Sequence, residues 1–176
     1  FDYLTDNTTT QKYDVQGAVL WFKANPGYYL TTATGCGTYA YYGVAKECDK
    51  NAYCPGKDRV ECNSSNQATV QVEKFGLELC SALGNGYATS DGGAAATSTA
   101  ACYLTTSRSK FVKTAGAAED ACTAGGWCPG GVRVNYGATG GRNTCPTKYP
   151  SSAASSNSEL DCYVTTAAGK YVATVG

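Results

Sequence analysis

Apolar and polar residues alternate in short runs along the chain, and long helical periods are missing. Val70, Val72 and Phe75 lie among Gln71, Glu73 and Lys74 with a period near two, and "GGVRVNYG" sets Val132, Val134 and Tyr136 against Arg133 and Asn135. The segments between are built from Gly, Ser, Ala, Thr and Asn, as in "GNGYATSDGG" (84–93), "GATGG" (137–141) and "PSSAASSNS" (150–158), and they read as turns and loops. "AGAAEDAC" (115–122) has the composition of one helical turn and no more. No apolar run approaches the roughly eighteen residues of a membrane span. The expected fold is mostly β, with short antiparallel strands and little or no helix.

The chain repeats itself in two registers. Cys48 and Cys54 return 74 residues later as Cys122 and Cys128, "YCPG" at 53–56 returns as "WCPG" at 127–130, and "YLTT" at 29–32 returns at 103–106. A second register of 60 carries Cys102 to Cys162, with Tyr103, Thr105, Thr106, Lys110, Val112, Thr114 and Gly116 matched by identical residues at Tyr163, Thr165, Thr166, Lys170, Val172, Thr174 and Gly176. This organisation divides the chain into an N-terminal segment (1–26), an irregular first unit (27–101), a regular unit (102–161) and the start of a third (162–176).

Cysteine usage sharpens the picture. The chain has ten cysteines, no histidine and no methionine, and an even, dispersed set of cysteines reads as disulfides formed in an oxidising compartment, extracellular or at a cell surface. A structural zinc would need closer ligand spacing than the five residues that separate the tightest pairs. Connectivity does not follow from sequence, although the repeat restricts it. The favoured pairing is Cys122 with Cys128, Cys145 with Cys162, Cys48 with Cys54, Cys80 with Cys102, and Cys36 with Cys62. The rival pairing joins Cys54 to Cys62 and Cys128 to Cys145.

Fourteen tyrosines suit a small disulfide module that uses Tyr as its bulk, with the ring buried and the hydroxyl wet. "TYAYYG" (38–43) is the exception, because Tyr41 and Tyr42 point to opposite faces of a strand and one face is open to a ligand such as a glycan. Fourteen basic and fourteen acidic residues cancel, which gives no reason to expect a nucleic acid as partner. Arg108, Lys110 and Lys113 read as a solvated strand face rather than a basic patch.

Catalytic constellations are few. Without histidine every Ser-His or Cys-His nucleophile is excluded, and oxidised cysteines leave no thiolate. The close acidic pairs Glu47/Asp49 and Glu119/Asp120 sit beside cysteines in loops, where solvated turn residues explain them better than a glycosidase pair. "GATGGR" lacks the residues and the strand-to-helix context of a phosphate cradle, so no cofactor is expected. Asn7 and Asn63 begin Asn-x-Ser/Thr sequons and Asn143 the rarer Cys form, which makes them candidates for glycosylation.

"CDKNAYCPG", "CTAGGWCPGG" and "CPTKYPSSAASSNSELDC" resemble the Cys-rich repeats of the ephrin-receptor-like type, found in tandem in extracellular and cell-surface proteins. Lys148, before Tyr149, and "SALGNGY" after Cys80 depart from the usual wording of those repeats. The resemblance implies an elongated string of small disulfide-tied β modules with a structural or adhesive role and no catalytic residues. The expectation is therefore a non-catalytic extracellular structural protein, a subunit of a filament, appendage or sheath. A carbohydrate-binding adhesin is the alternative, and a secreted carbohydrate-active enzyme a distant third.

Phe1 is not an initiator methionine and no signal-like leader precedes it, so a mature, processed or partial chain is expected. In the third unit, Tyr163, Val164, Tyr171, Val172 and Val175 lack the loop and strand that follow their counterparts in the regular unit. One expected remedy is head-to-tail self-association, in which the "GAVLWF" run, with Leu20, Trp21 and Phe22, donates a strand to Tyr163, Tyr171 and Val172 of another copy. The other is that the array simply continues. Gly- and Ser-rich loops do not offset their ordering entropy without cross-links, so strong reductant is expected to abolish the β signal in circular dichroism and the resistance to protease. Survival of both would contradict a disulfide framework.

Overall fold

The computed structural model describes residues 12–14, 20–34, 39–42, 45–62 and 71–173, and the chain divides into two compact units, Phe1–Tyr103 and Leu104–Gly176. The fold is small, disulfide-rich and mostly β. Among the described residues no helix reaches seven residues; the helical segments are 3-10 turns at Cys80–Leu83, Thr99–Ala101 and Glu159–Asp161. None is long and apolar enough to cross a membrane. The helical turn expected at 115–122 is a turn over Thr114–Ala117 followed by a short strand.

In the first unit the strands are β1 (Lys12–Asp14), β2 (Leu20–Ala24), β3 (Tyr28–Thr34), β4 (Tyr39–Tyr42), β5 (Ala45–Glu47), β6 (Ala52–Tyr53), β7 (Lys57–Cys62), β8 (Gln71–Phe75) and β9 (Glu78–Leu79). β3 is the centre of a five-stranded antiparallel sheet, pairing β4, β5 and β8, while β1 adds to β4. Two smaller ladders join β2 to β7 and β6 to β9. The second unit carries β10 (Tyr103–Thr105), β11 (Lys110–Phe111), β12 (Asp120–Ala121), β13 (Gly126–Trp127), β14 (Arg133–Asn135) and β15 (Asn143–Thr144), paired as β10 with β14, β11 with β12 and β13 with β15.

Among the described residues four disulfides staple these ladders: Cys48–Cys54, Cys80–Cys102, Cys122–Cys128 and Cys145–Cys162, with Cα–Cα distances of 5.8, 5.5, 5.9 and 5.8 Å. The rival pairing is excluded, because Cys54 and Cys128 are each bonded to the near cysteine of their own loop. Cys36 lies outside the described residues, and with it the fifth expected pair.

The hydrogen bonds show the same module built twice. Gly27 donates to the Cys54 carbonyl and accepts from the Cys48 amide at 2.8 and 2.9 Å, as Ser109 does with Cys128 and Cys122 at 3.0 and 2.8 Å. Tyr28 pairs with Glu47 as Lys110 pairs with Ala121, and Ala24 faces Lys57 as Thr106 meets Gly131. The structural counterpart of Tyr103–Thr106 is therefore Trp21–Ala24, a shift of 82, rather than the Tyr29–Thr32 that the shared letters suggest. The leading strand of the first module is β2, and the segment expected to serve another copy pairs within its own chain, with Leu20 opposite Cys62, Trp21 opposite Glu61 and Phe22 opposite Val60. Deleting residues 1 to 22 would thus strip a strand from the first module rather than leave it whole.

The two registers of the sequence now have a physical account. The first module has nine more residues than the second between Cys54 and Cys80, and five more inside the loop closed by Cys80–Cys102, which together make up the difference between 74 and 60. The β3–β8 ladder uses part of this extra length, pairing Leu30 with Phe75 where the second module has only the isolated bridge Val112–Gly140.

Backbone sterics single out one turn residue. Gly27, Ser109 and Gly169 share the left-handed conformation (φ 84°, 63° and 75°), and only Ser109 carries a side chain there. Ser109→Gly should raise stability by about 0.5 kcal/mol, the left-handed penalty less the added freedom of the unfolded chain. Gly130→Ala should lower it by more than about 1–2 kcal/mol, since φ is 78° and a Cβ would lie 2.7 Å from the Arg108 backbone nitrogen. Chemical denaturation of both variants checks the pair.

Candidate functional site: the leading hairpin and its disulfide cover

Each module opens with a strand, a tight turn and a second strand, here called the leading hairpin. The turn closes through a backbone bond three residues apart, Tyr28 to Asn25 at 3.0 Å, Lys110 to Ser107 at 3.1 Å and Lys170 to Ala167 at 3.0 Å. The sequences "ANPGYY", "TSRSKF" and "TAAGKY" differ, but each supplies a residue at the left-handed position and an aromatic two residues beyond it. The two strands that flank the turn pair with other strands rather than with each other, β2 with β7 and β3 with β4, β5 and β8 in the first module, β10 with β14 and β11 with β12 in the second, and the aromatic projects from the second of them toward whatever packs there.

In the two complete modules it meets a disulfide. Tyr29 is buried with Cys48, Ala52, Cys54 and Ala96, and Phe111 is buried with Cys122 and Cys128. The Ser-rich loop then wraps the far side. Ser90 Oγ donates to the Ala52 carbonyl at 2.5 Å and accepts from its amide at 3.0 Å, and Ser152 Oγ donates to the Gly126 carbonyl at 2.6 Å. Both serines are buried. The Cys54 and Cys128 amides donate to Ala96 and Ser156, so the second cysteine of each small loop is bonded on both sides of its peptide. A polar loop can cover a core in this way because its hydroxyls satisfy the backbone that it hides.

In the third copy the turn is closed, but no strand flanks it and its apolar residues are uncovered. Leu104, Phe111 and Val112 are 5%, 8% and 0% exposed, whereas their counterparts Val164, Tyr171 and Val172 are 39%, 84% and 44% exposed. Leu160, the middle residue of the final 3-10 turn, and Tyr163 are exposed as well. The hairpin is nevertheless anchored, because the Tyr163 amide donates to the Ser151 carbonyl at 2.7 Å, as Tyr103 does to Thr89 at 2.8 Å. Val175 lies outside the described residues.

Charged groups support the same architecture. Asp49 accepts from the Tyr29 hydroxyl at 3.0 Å and from Lys74 Nζ at 2.7 Å, and the Lys74 ammonium sits 5.8 Å from the Tyr29 ring centre. The Lys74 hydrogen bond, foremost, holds the Asp49 carboxyl below its ordinary range, while burial and then Asp49 push the Tyr29 phenol up. Because the Asp49 pKa is depressed on folding, the contact stabilises above the ordinary carboxylate range and its contribution is lost as pH falls through the folded value. Both partners of the ion pair are well exposed, so its contribution is screened by solvent. Glu119 accepts from the Ser107 amide and from Ser107 Oγ, tying the second hairpin's turn.

The remaining sequence candidates are scattered. Asn143 is exposed on β15, opposite Trp127; Asn7 and Asn63 are outside the described residues. Tyr39–Tyr42 forms β4, between β1 and β3. Arg108, Lys110 and Lys113 are exposed. Nothing in the sequence sets Ser90 and Ser152 apart from the other small polar residues of their loops.

Ser152→Ala leaves a buried carbonyl without its donor and should cost about 1–3 kcal/mol, while Ala154→Ser, at an exposed position of the same loop, should change stability little. Thermal melts of the two variants separate the roles. Comparison of the chain with protein-family profiles, with curated proteins and with solved structures finds no match.

Proposed function

We propose that the chain is a non-catalytic structural protein of the extracellular space, a repeat-built subunit of a surface filament, appendage or sheath. The observation that carries this reading is the module itself: the same hairpin, disulfide loop and serine wrap are built twice, and the hairpin is started a third time with its apolar face open. Side chains that would be free to do chemistry in an enzyme are committed to the build. Glu119 ties a turn, Asp49 ties Tyr29 to Lys74, and the serines that are buried bond to backbone. Tandem units of this kind interact mainly with their neighbours, which suits a load-bearing or spacing role.

Disulfides agree with an oxidising environment. The resemblance to extracellular Cys-rich repeats points the same way. Immunogold electron microscopy of the native source with antibody to this chain tests the proposal. Label spaced along a surface structure is the expected result; label confined to soluble material, with the purified chain retained on a glycan column, would replace the structural role with an adhesin.

A further inference from the structure

We infer that residues 163–172 form a docking face for one kind of occupant: the body of a further repeat unit, with a Cys-x5-Cys-Pro-Gly loop followed by a Val-x-Val strand, presented in series. This inference rests on the structural reading above and names the contact by which one unit would hold the next.

The argument is the internal precedent. In both complete modules the leading hairpin is covered by the same parts. The left-handed turn residue clips the peptides of both loop cysteines, the aromatic two residues later packs on their disulfide, and the strand beyond the loop pairs with the leading strand. The third hairpin keeps the features that these contacts use. Gly169 has the left-handed φ, the turn is closed by Lys170 and Ala167, and Tyr171 and Val172 stand where Phe111 and Val112 are buried. No loop or strand covers them among the described residues, and Val164, Tyr171 and Val172 stand open.

A second copy of the chain is a poor occupant. Its loop at 48–54 is filled by its own Gly27 and Tyr29, and its loop at 122–128 by its own Ser109 and Phe111. A copy could accept the hairpin only by releasing one of its own, which gains nothing, whereas a unit in series binds without exchange. The preformed turn lowers the ordering cost of that binding.

The test extends the intact chain by a second copy of residues 117–162 placed after Gly176, which continues the register of 60. The added loop should close its own Cys-x5-Cys disulfide, and Tyr171, now 84% exposed, should approach the 8% of Phe111, so that its nitration by tetranitromethane slows roughly tenfold. The pair Tyr171→Asp and Val172→Asp should leave the melting of the original chain unchanged and abolish both effects in the extended one. Equal damage in both chains, or unchanged nitration of Tyr171, overturns the inference, and so does an added unit that fails to form its disulfides. Each of these outcomes is independent of whether the native protein is found in a surface structure, which tests the proposed function alone.

Discussion

The whole build depends on one clip. A residue in the left-handed conformation, Gly27 or Ser109, donates its amide to one cysteine of the small loop and accepts from the other, while the aromatic two positions on lies against the disulfide between them. A six-residue separation between bonded cysteines restricts the unfolded chain only modestly, so the short disulfide alone is a weak source of stability. Its larger contribution is to present a compact apolar surface, with two peptide groups fixed beside it, for the hairpin to close over.

Everything else in the module serves that contact. The longer disulfides, Cys80–Cys102 and Cys145–Cys162, bring the Ser-rich loop back across β6 and β13, where Ser90 and Ser152 satisfy backbone groups that the loop would otherwise bury without partners. A chain short of Leu and Ile thus replaces a deep apolar core with several small cores, each organised around sulfur and one aromatic ring. The residue that follows Cys102 or Cys162 is bonded to the loop that the longer disulfide closes, Tyr103 at Thr89 and Tyr163 at Ser151.

Spacing made much of this legible in the sequence. The Cys-x5-Cys loops stood out because their register is regular and a short closed loop tolerates no insertions, and the β class followed from the alternation around Val134. The leading strand of the first module is not legible in the sequence, for an equally physical reason. "YLTT" occurs at 29–32 and 103–106, but hydrogen bonding follows the left-handed turn, and the turn is written "NPG" in one module and "SRS" in the next. Identical letters drew Tyr29 to Tyr103, whereas packing on a disulfide makes Tyr29 the counterpart of Phe111. The repeat in the letters leaves Leu20, Trp21 and Phe22 without a counterpart, whereas in the structure β7 pairs with them. Tyr163, Tyr171 and Val172 are exposed, and the register of 60 alone marks them as apolar positions matched to Tyr103, Phe111 and Val112.

Native-state amide hydrogen exchange tests the clip most directly. The account predicts that the amides of Gly27, Cys48, Ser109 and Cys122 are among the slowest in the chain and that Val112, bonded to Gly140, is slow with them, whereas Tyr171 and Val172 exchange at close to unprotected rates. Fast exchange at Ser109 and Cys122, or protection of Val172 equal to that of Val112 in the monomeric chain, would contradict it.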